Sequence, residues 1–155
     1  MYVITGCSSG LGFEISKYLL NDKKHVLGLS RSLGNAHNFK NNDKFLHYPI
    51  DLSIEQNYSE LDPFLKKRNY PEITLVLNAA KFQFEGEHLA DSRITKDIFN
   101  INYFSAITLV KYFLSRNLRR VMFINSIAGL SSQSGQAQYS ASKHALQSYS
   151  EVLAK

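Results

Sequence analysis

The sequence predicts an α/β fold, a doubly wound parallel sheet with helices on both faces. Short apolar runs rich in branched residues alternate with longer stretches of helical period. The first run, Tyr2-Val3-Ile4, passes directly into Thr5-Gly6-Cys7-Ser8-Ser9-Gly10-Leu11-Gly12, which opens the segment Phe13 to Leu20. A strand, a glycine-rich turn and a helix in that order form the setting in which backbone N–H groups and a helix dipole cradle a phosphate. The 155 residues make one domain, 1–155, with enough chain for a sizeable core.

Strands are expected at Tyr2 to Ile4, His25 to Leu29, Lys44 to His47, Ile73 to Leu77 and Val121 to Ile124. Helices are expected at Leu11 to Leu20, Ile54 to Lys67 and about Ile94 to Asn117. Glycines at 6, 10 and 12 allow the tight turn after the first strand. Ser53-Ile54-Glu55-Gln56 fits a capping box, and Ile54, Tyr58, Leu61 and Leu65 keep the apolar period of a helix lying on a sheet. Pro63 interrupts that pattern and predicts a kink or a restart. Ser32 to Asn42, asparagine-rich and including Gly34, reads as a loop with at most one weak helical turn. Low-complexity tracts, repeats and interdomain linkers are absent from the sequence.

Charge and composition exclude several classes. The net charge of +5 is scattered, with clusters at Lys66-Lys67-Arg68 and Arg119-Arg120 that read as solvated helix ends and loop flanks. A nucleic-acid partner is not expected, because no basic face is interleaved with aromatics. A membrane span is not expected either, since no apolar run approaches about 20 residues. Met1 opens almost directly onto a strand, leaving no room for a signal peptide, so a cytoplasmic location is expected. The single cysteine, Cys7, rules out an internal disulfide and a multi-cysteine metal site. Its place near a helix N-terminus can lower a thiol pKa. The favoured alternative is a small residue filling a tight turn. Histidines 25, 37, 47, 88 and 144 lack metal-ligand spacing and read as surface or satisfied structural residues, so no metal is expected.

The chemistry lies in Ser126, Tyr139 and Lys143. On a helix Tyr139 and Lys143 are i and i+4 and share a face. A lysine ammonium beside a phenol favours the phenolate, which suits the tyrosine to exchange a proton with a substrate oxygen. Ser126, just past the apolar run Val121 to Ile124, is placed to donate a hydrogen bond to that oxygen. Together they are a set for reducing a carbonyl or oxidising an alcohol, and such chemistry needs a hydride partner. The end of the second strand bears on its identity. A site preferring NAD places an acidic residue about 20 residues beyond the glycine loop, where this chain has Leu29-Ser30-Arg31-Ser32. A guanidinium with hydroxyls suits a 2′-phosphate, hence NADP rather than NAD, against the alternative of a solvated loop arginine.

These residues resemble the short-chain dehydrogenase/reductase family, in its standard-length branch. That branch carries T-G-x-x-x-G-x-G, an N-A-G-like turn after the fourth strand, an asparagine in the next long helix, then serine and Y-x-x-x-K. The matches are Thr5 to Gly12, Asn78-Ala79-Ala80, Asn102, Ser126, and Tyr139 with Lys143. The asparagine-to-serine and serine-to-tyrosine intervals also look typical of the family, and the matches span nearly the whole chain. The loop of the extended branch, T-G-x-x-G-x-x-G, does not fit. Ala80, where the family has glycine, is a mild departure that crowds the cofactor side slightly.

The resemblance implies a Rossmann-like sheet of order 3-2-1-4-5-6-7 whose C-terminal strands are missing here, through truncation or natural shortening. It implies reversible hydride transfer between NADP(H) and a small-molecule carbonyl or alcohol. In that scheme Tyr139 is the acid-base group, Ser126 orients the oxygen, Lys143 holds the nicotinamide ribose, and Asn102 completes a proton relay while being partly structural. Cofactor contacts are expected from Thr5, Gly6, Ser8, Ser9, Gly10, Leu11, Gly12, Ser30, Arg31, Asp51, Leu52, Asn78, Ala79 and Ala80, besides Tyr139 and Lys143. Asp51 would face the adenine ring, or else cap a helix starting near Ser53. The alternative function is a non-catalytic cofactor-binding remnant or an interaction protein derived from such an enzyme. A homo-oligomer is expected through the helices carrying Asn102 and Tyr139, with the fifth strand an exposed edge and Leu146, Tyr149 and Leu153 facing solvent unless covered.

Overall fold

A computed structural model describes residues 1–54, 58–66, 70–85 and 91–155. Strands β1 (Tyr2–Thr5), β2 (Val26–Ser30), β3 (Phe45–Pro49), β4 (Ile73–Leu77) and β5 (Leu118–Phe123) form one sheet in the order β3-β2-β1-β4-β5. Every pairing is parallel. Crossovers are helical: α1 (Gly10–Asn21), α2 (Asp62–Lys66), α3 (Ser92–Phe99), α4 (Ser105–Leu114), and α5 (Ala137–Leu153) after β5. The Rossmann-like reading of the sequence is therefore the architecture observed.

Alternation along the central strands divides the core between the two faces. Register sets Val3 beside Leu27 and Leu75, and all three pack in one cluster with Leu109, Phe113 and Leu146. Their neighbours Ile4, Val26 and Val76 pack in the other cluster with Leu19 and Leu20 of α1. Each fully buried Leu, Ile or Val contributes roughly 1.5–3 kcal/mol, so burial on both faces, more than helix propensity, holds the layers. No helix among the described residues is long and apolar enough to cross a membrane.

Several expectations shift. β5 starts at Leu118, so Arg119 and Arg120 are exposed positions within an edge strand rather than loop flanks. Charged side chains on an edge oppose pairing with another chain. Ser32 to Asn42 contains a 3₁₀ helix, Gly34–Phe39. The helix expected from Ile54 to Lys67 is broken: Ser53 lies in a turn, and a 3₁₀ turn at Tyr58–Leu61 precedes α2. Pro63 sits in the first turn of α2, where its missing N–H costs no hydrogen bond, and this restarts the helix. Glu55 and Gln56 of the capping box, Lys67, Arg68 and His88 lie outside the described residues. The helix expected from Ile94 to Asn117 is α3 and α4 joined by a π-helical turn, Asn100–Phe104. Leu146 is buried at 2% exposure rather than facing solvent, while Tyr149 is half-buried against Tyr103 and Phe123 and Leu153 is exposed.

Candidate active site

The turn after β1 is stitched to the turn after β4. Thr5 Oγ1 accepts the backbone N–H groups of Asn78 and Ala79, each at 2.9 Å. Asn78 Nδ2 donates back to the carbonyls of Thr5 at 3.0 Å and Gly6 at 3.3 Å. Gly6 has φ +70, and a Cβ there would sit 3.0 Å from the Ala79 backbone, so the position needs glycine for conformation and for space. Gly12 packs beneath the Gly6 carbonyl. At the start of α1, Ser9 is extended and its side chain makes no cap, and the first turn holds no acidic residue. The opening N–H groups and the positive dipole end thus remain available for an anion.

A cleft of about 360 Å³ opens over these turns, lined by Gly6, Ser8, Ser9, Ser30, Arg31, Ser32, Asp51, Leu52, Asn78, Ala79 and Ala80, with Leu29, Ile50 and Ile101. It lies at the carboxyl ends of the strands, where the order reverses between β1 and β4, the place at which open α/β sheets bind ligands. Most of the residues expected to contact a cofactor therefore meet in one cleft. Thr5, Gly10, Leu11, Gly12, Tyr139 and Lys143 stand outside its lining. Thr5 is 1% exposed and acts as a brace.

Asp51 lines the cleft and takes the capping role, the second of its two expected alternatives, in modified form. Its Oδ1 accepts Ser53 N–H at 2.9 Å and Ser53 Oγ–H at 2.7 Å, capping a turn rather than a helix. These bonds, with the charges of Arg31 and Lys81 adding to them, hold its carboxyl below the usual range. The Ser30 hydroxyl, expected to face a phosphate, instead donates to the Ser32 carbonyl at 2.8 Å. Cys7 is fully buried, and burial pushes its thiol pKa up, so the reactive-thiol alternative is corrected in favour of a turn-filling side chain.

The residues expected to move the proton lie on α5 (Tyr139, Lys143), just past β5 (Ser126) and in the π-helical turn (Asn102). Glu85 Oε1 accepts Gln138 N–H at 2.9 Å, which places a carboxylate at the start of α5 and complements the dipole there. On α5, Tyr139 is half-buried with the Phe82 ring edge-on at 5.1 Å. Lys143 Nζ lies 5.9 Å from the Tyr139 ring centre and donates to the Ile124 carbonyl at 3.0 Å. Burial, at 2% exposure, brings the Lys143 pKa down to about 8. Ser126 is extended past β5 and its Oγ accepts Ala128 N–H at 3.2 Å, leaving the hydroxyl proton to be given elsewhere. Asn102, 1% exposed in the π-helical turn, accepts Lys81 N–H at 2.7 Å and donates to the Lys81 carbonyl at 3.0 Å and to Ser142 Oγ at 2.9 Å. Ser142 in turn donates to the Tyr139 carbonyl at 2.7 Å.

Sequence reasoning missed Lys81, Ser142 and Ile101. Ser142 lies inside the Tyr139 to Lys143 motif and Lys81 directly follows Asn78-Ala79-Ala80, so proximity to the motifs was the one signal available.

Comparison with known proteins agrees with this geometry. The family model for short chain dehydrogenase matches residues 1–155. A probable short-chain type dehydrogenase/reductase, VdlC, of Helicobacter pylori is 32% identical over 164 residues, covering 99% of this chain and 58% of that protein. The NADPH-dependent 1-acyldihydroxyacetone phosphate reductase of Saccharomyces cerevisiae is 28% identical over 161 residues, covering 97% and 54%. Among solved structures, a short-chain dehydrogenase/reductase from Saccharomyces cerevisiae superposes with TM-score 0.84 at 27% identity, covering 99% of this chain and 64% of that one. A 4-hydroxyisoleucine dehydrogenase complexed with NADH superposes with TM-score 0.87 at 24% identity, covering 99% and 65%, a likeness of fold. The chain spans about half the length of the curated relatives it matches. By motif, architecture and relatives alike, the chain belongs to the short-chain dehydrogenase family of oxidoreductases.

Proposed function

We propose that this chain carries the cofactor and proton-transfer machinery of an NADP(H)-dependent oxidoreductase acting on a small carbonyl or alcohol. The observation that carries the reading is the hydrogen-bonded link from the turn after β4, whose Asn78 to Ala80 line the same cleft as Arg31, through Lys81 and Asn102 to Ser142 on the helix bearing Tyr139 and Lys143. The residues fit a nicotinamide dinucleotide: an uncapped helix start beside a glycine turn for the pyrophosphate, Arg31 and Ser32 for a 2′-phosphate, Asp51 and Leu52 for the adenine. A relative of Saccharomyces cerevisiae that is described as NADPH-dependent supports the same choice.

When bound, a reduced nicotinamide supplies hydride to the carbonyl carbon. Tyr139 gives its phenolic proton to the carbonyl oxygen as negative charge develops there. Ser126 donates its hydroxyl proton to the same oxygen, a role left open by the acceptance of Ala128 N–H on its lone pair. The Lys143 ammonium stabilises the charge left on the Tyr139 oxygen, and its remaining N–H donors suit ribose hydroxyls. Asn102 fixes the turn after β4 against α5 through Lys81 and Ser142, which keeps cleft and catalytic helix in one frame. Oxidation of an alcohol runs the same proton path backwards. Calorimetric titration with NADPH and with NADH tests the cofactor: tighter NADPH binding is expected, and equal affinities would remove the argument for NADP.

A further inference from the structure

Ser30 ends β2, and its hydroxyl joins three elements. It donates to the Ser32 carbonyl at 2.8 Å, lies 3.0 Å from His47 Nε2 on β3, and lies 3.3 Å from Cys7 Sγ in the glycine-rich turn. A serine hydroxyl has one proton and two acceptor positions. With its proton on Ser32, its oxygen takes the N–H of His47 and the S–H of Cys7, and the inventory closes. That closure fixes His47 as the tautomer protonated on Nε2. Burial holds the His47 imidazole below its ordinary pKa and the Cys7 thiol above its own, so both are neutral near pH 7 with the protons this arrangement needs.

The backbone makes room for the network. Register sets His47 opposite Gly28, and a Cβ at Gly28 would collide with the Cys7 sulfur. Cys7 is 0% exposed and Ser30, which lines the cleft, only 7%, so the network forms part of the cleft floor and extends beneath it. Above it, the turn from Ser30 to Ser32 carries Arg31 into the cleft lining.

We propose that His47 and Cys7 are positioning residues for cofactor selection, clamping the Ser30 hydroxyl so that the Ser30 to Ser32 turn presents Arg31 in one orientation. This rests on the reading of Arg31 as the 2′-phosphate ligand. Losing one hydrogen bond of the clamp leaves NADH affinity intact, because NADH does not call on Arg31. It weakens NADPH binding by about three- to tenfold, the range of one net hydrogen bond.

The test measures Kd for NADPH and NADH with the unmutated chain, Arg31→Ala, His47→Phe and His47→Gln, and records the histidine ¹⁵N spectrum of the unmutated chain. Expected are an Nε2–H tautomer for His47, a lost NADPH preference in Arg31→Ala, and a preference reduced about three- to tenfold in His47→Phe. His47→Gln, whose amide still donates, should restore it. An NADPH preference absent from the unmutated chain or unchanged in Arg31→Ala would sink the Arg31 reading and the clamp's role in selection with it. An Arg31→Ala that loses the preference while His47→Phe retains it would overturn the clamp alone. Should His47→Phe fail to fold, His47→Gln and the spectrum still decide: an Nδ1–H tautomer, or a lost preference in His47→Gln, contradicts the proposal.

Discussion

The side-chain amide of Asn102 pairs with the peptide of Lys81 in both directions, accepting its N–H at 2.7 Å and donating to its carbonyl at 3.0 Å. Asn102 thereby acts as a short stretch of strand partner for the turn after β4, and its second donor reaches Ser142 on α5. Asn102→Leu would leave the part-buried N–H and carbonyl of Lys81 without partners and remove the donor to Ser142 Oγ, which keeps its bond to the Tyr139 carbonyl. A loss of roughly 2–3 kcal/mol is expected, seen as a fall in Tm of about 5–10 °C. A melting curve that matches the unmutated chain would show that water replaces the amide at little cost.

Lys143 makes stability depend on pH. Its folded pKa of about 8 lies below the ordinary 10.5 because burial disfavours the charge. Between those values the unfolded chain binds more protons than the folded one, so the Lys143 contribution becomes more favourable as pH rises through the window. Lys143→Met should therefore be more stable than the unmutated chain at pH 7, with the difference shrinking by pH 10. Tyr58, whose pKa is pushed up to about 12, titrates in both proteins and cancels in the comparison. Denaturant melts at several pH values check this, and a difference independent of pH would contradict it.

On the proposed function, Arg31 is the residue that sets a preference for NADP. Arg31→Ala should weaken NADPH binding about tenfold or more while leaving NADH within about twofold, as expected when one charged hydrogen-bonding partner of a phosphate is removed. Competition titration reads both, and a parallel loss for the two cofactors would mean that Arg31 shapes the cleft rather than reading the phosphate.

Self-association is expected through α4 and α5. Phe104 at the end of the π-helical turn and Leu114 on α4, and Val152 and Leu153 on α5, are exposed apolar side chains. Arg119 and Arg120 discourage the alternative of pairing through the β5 edge. Light scattering over a concentration series should show a dimer that Leu114→Glu dissolves; a monomer at all concentrations would contradict this.

Much of the fold was legible because the central strands are continuous apolar runs and the turns between them carry glycine, asparagine or proline. The parts misread have local physical causes. Asn100–Phe104 keeps the apolar period of a helix, so nothing in its sequence announces the π-helical turn that brings Asn102 to Lys81. Arg119 and Arg120 look like a loop flank, and strand pairing with β4 overrides that preference. Nothing in the sequence names a cover for Leu146, whereas in the fold it joins the core beside Leu109 and Phe113. At the site, motif spacing located the residues that face the cleft. It could not show that Ser30 and Thr5 turn their hydroxyls inward, because that follows from hydrogen bonds to other strands and turns, to His47 for Ser30 and to Asn78 and Ala79 for Thr5.

On the proposed function, Tyr139 is the proton donor for carbonyl reduction. The most direct measurement is NADPH consumption by this chain against a panel of uncharged aldehydes and ketones, with Tyr139→Phe measured beside it and NADPH affinity determined for both. Removal of one phenolic oxygen should abolish turnover, by at least about a hundredfold, and leave NADPH affinity nearly unchanged. Turnover that survives in Tyr139→Phe, or an unmutated chain that binds NADPH and reduces nothing, would contradict the account, the second result favouring a cofactor-binding protein without catalysis.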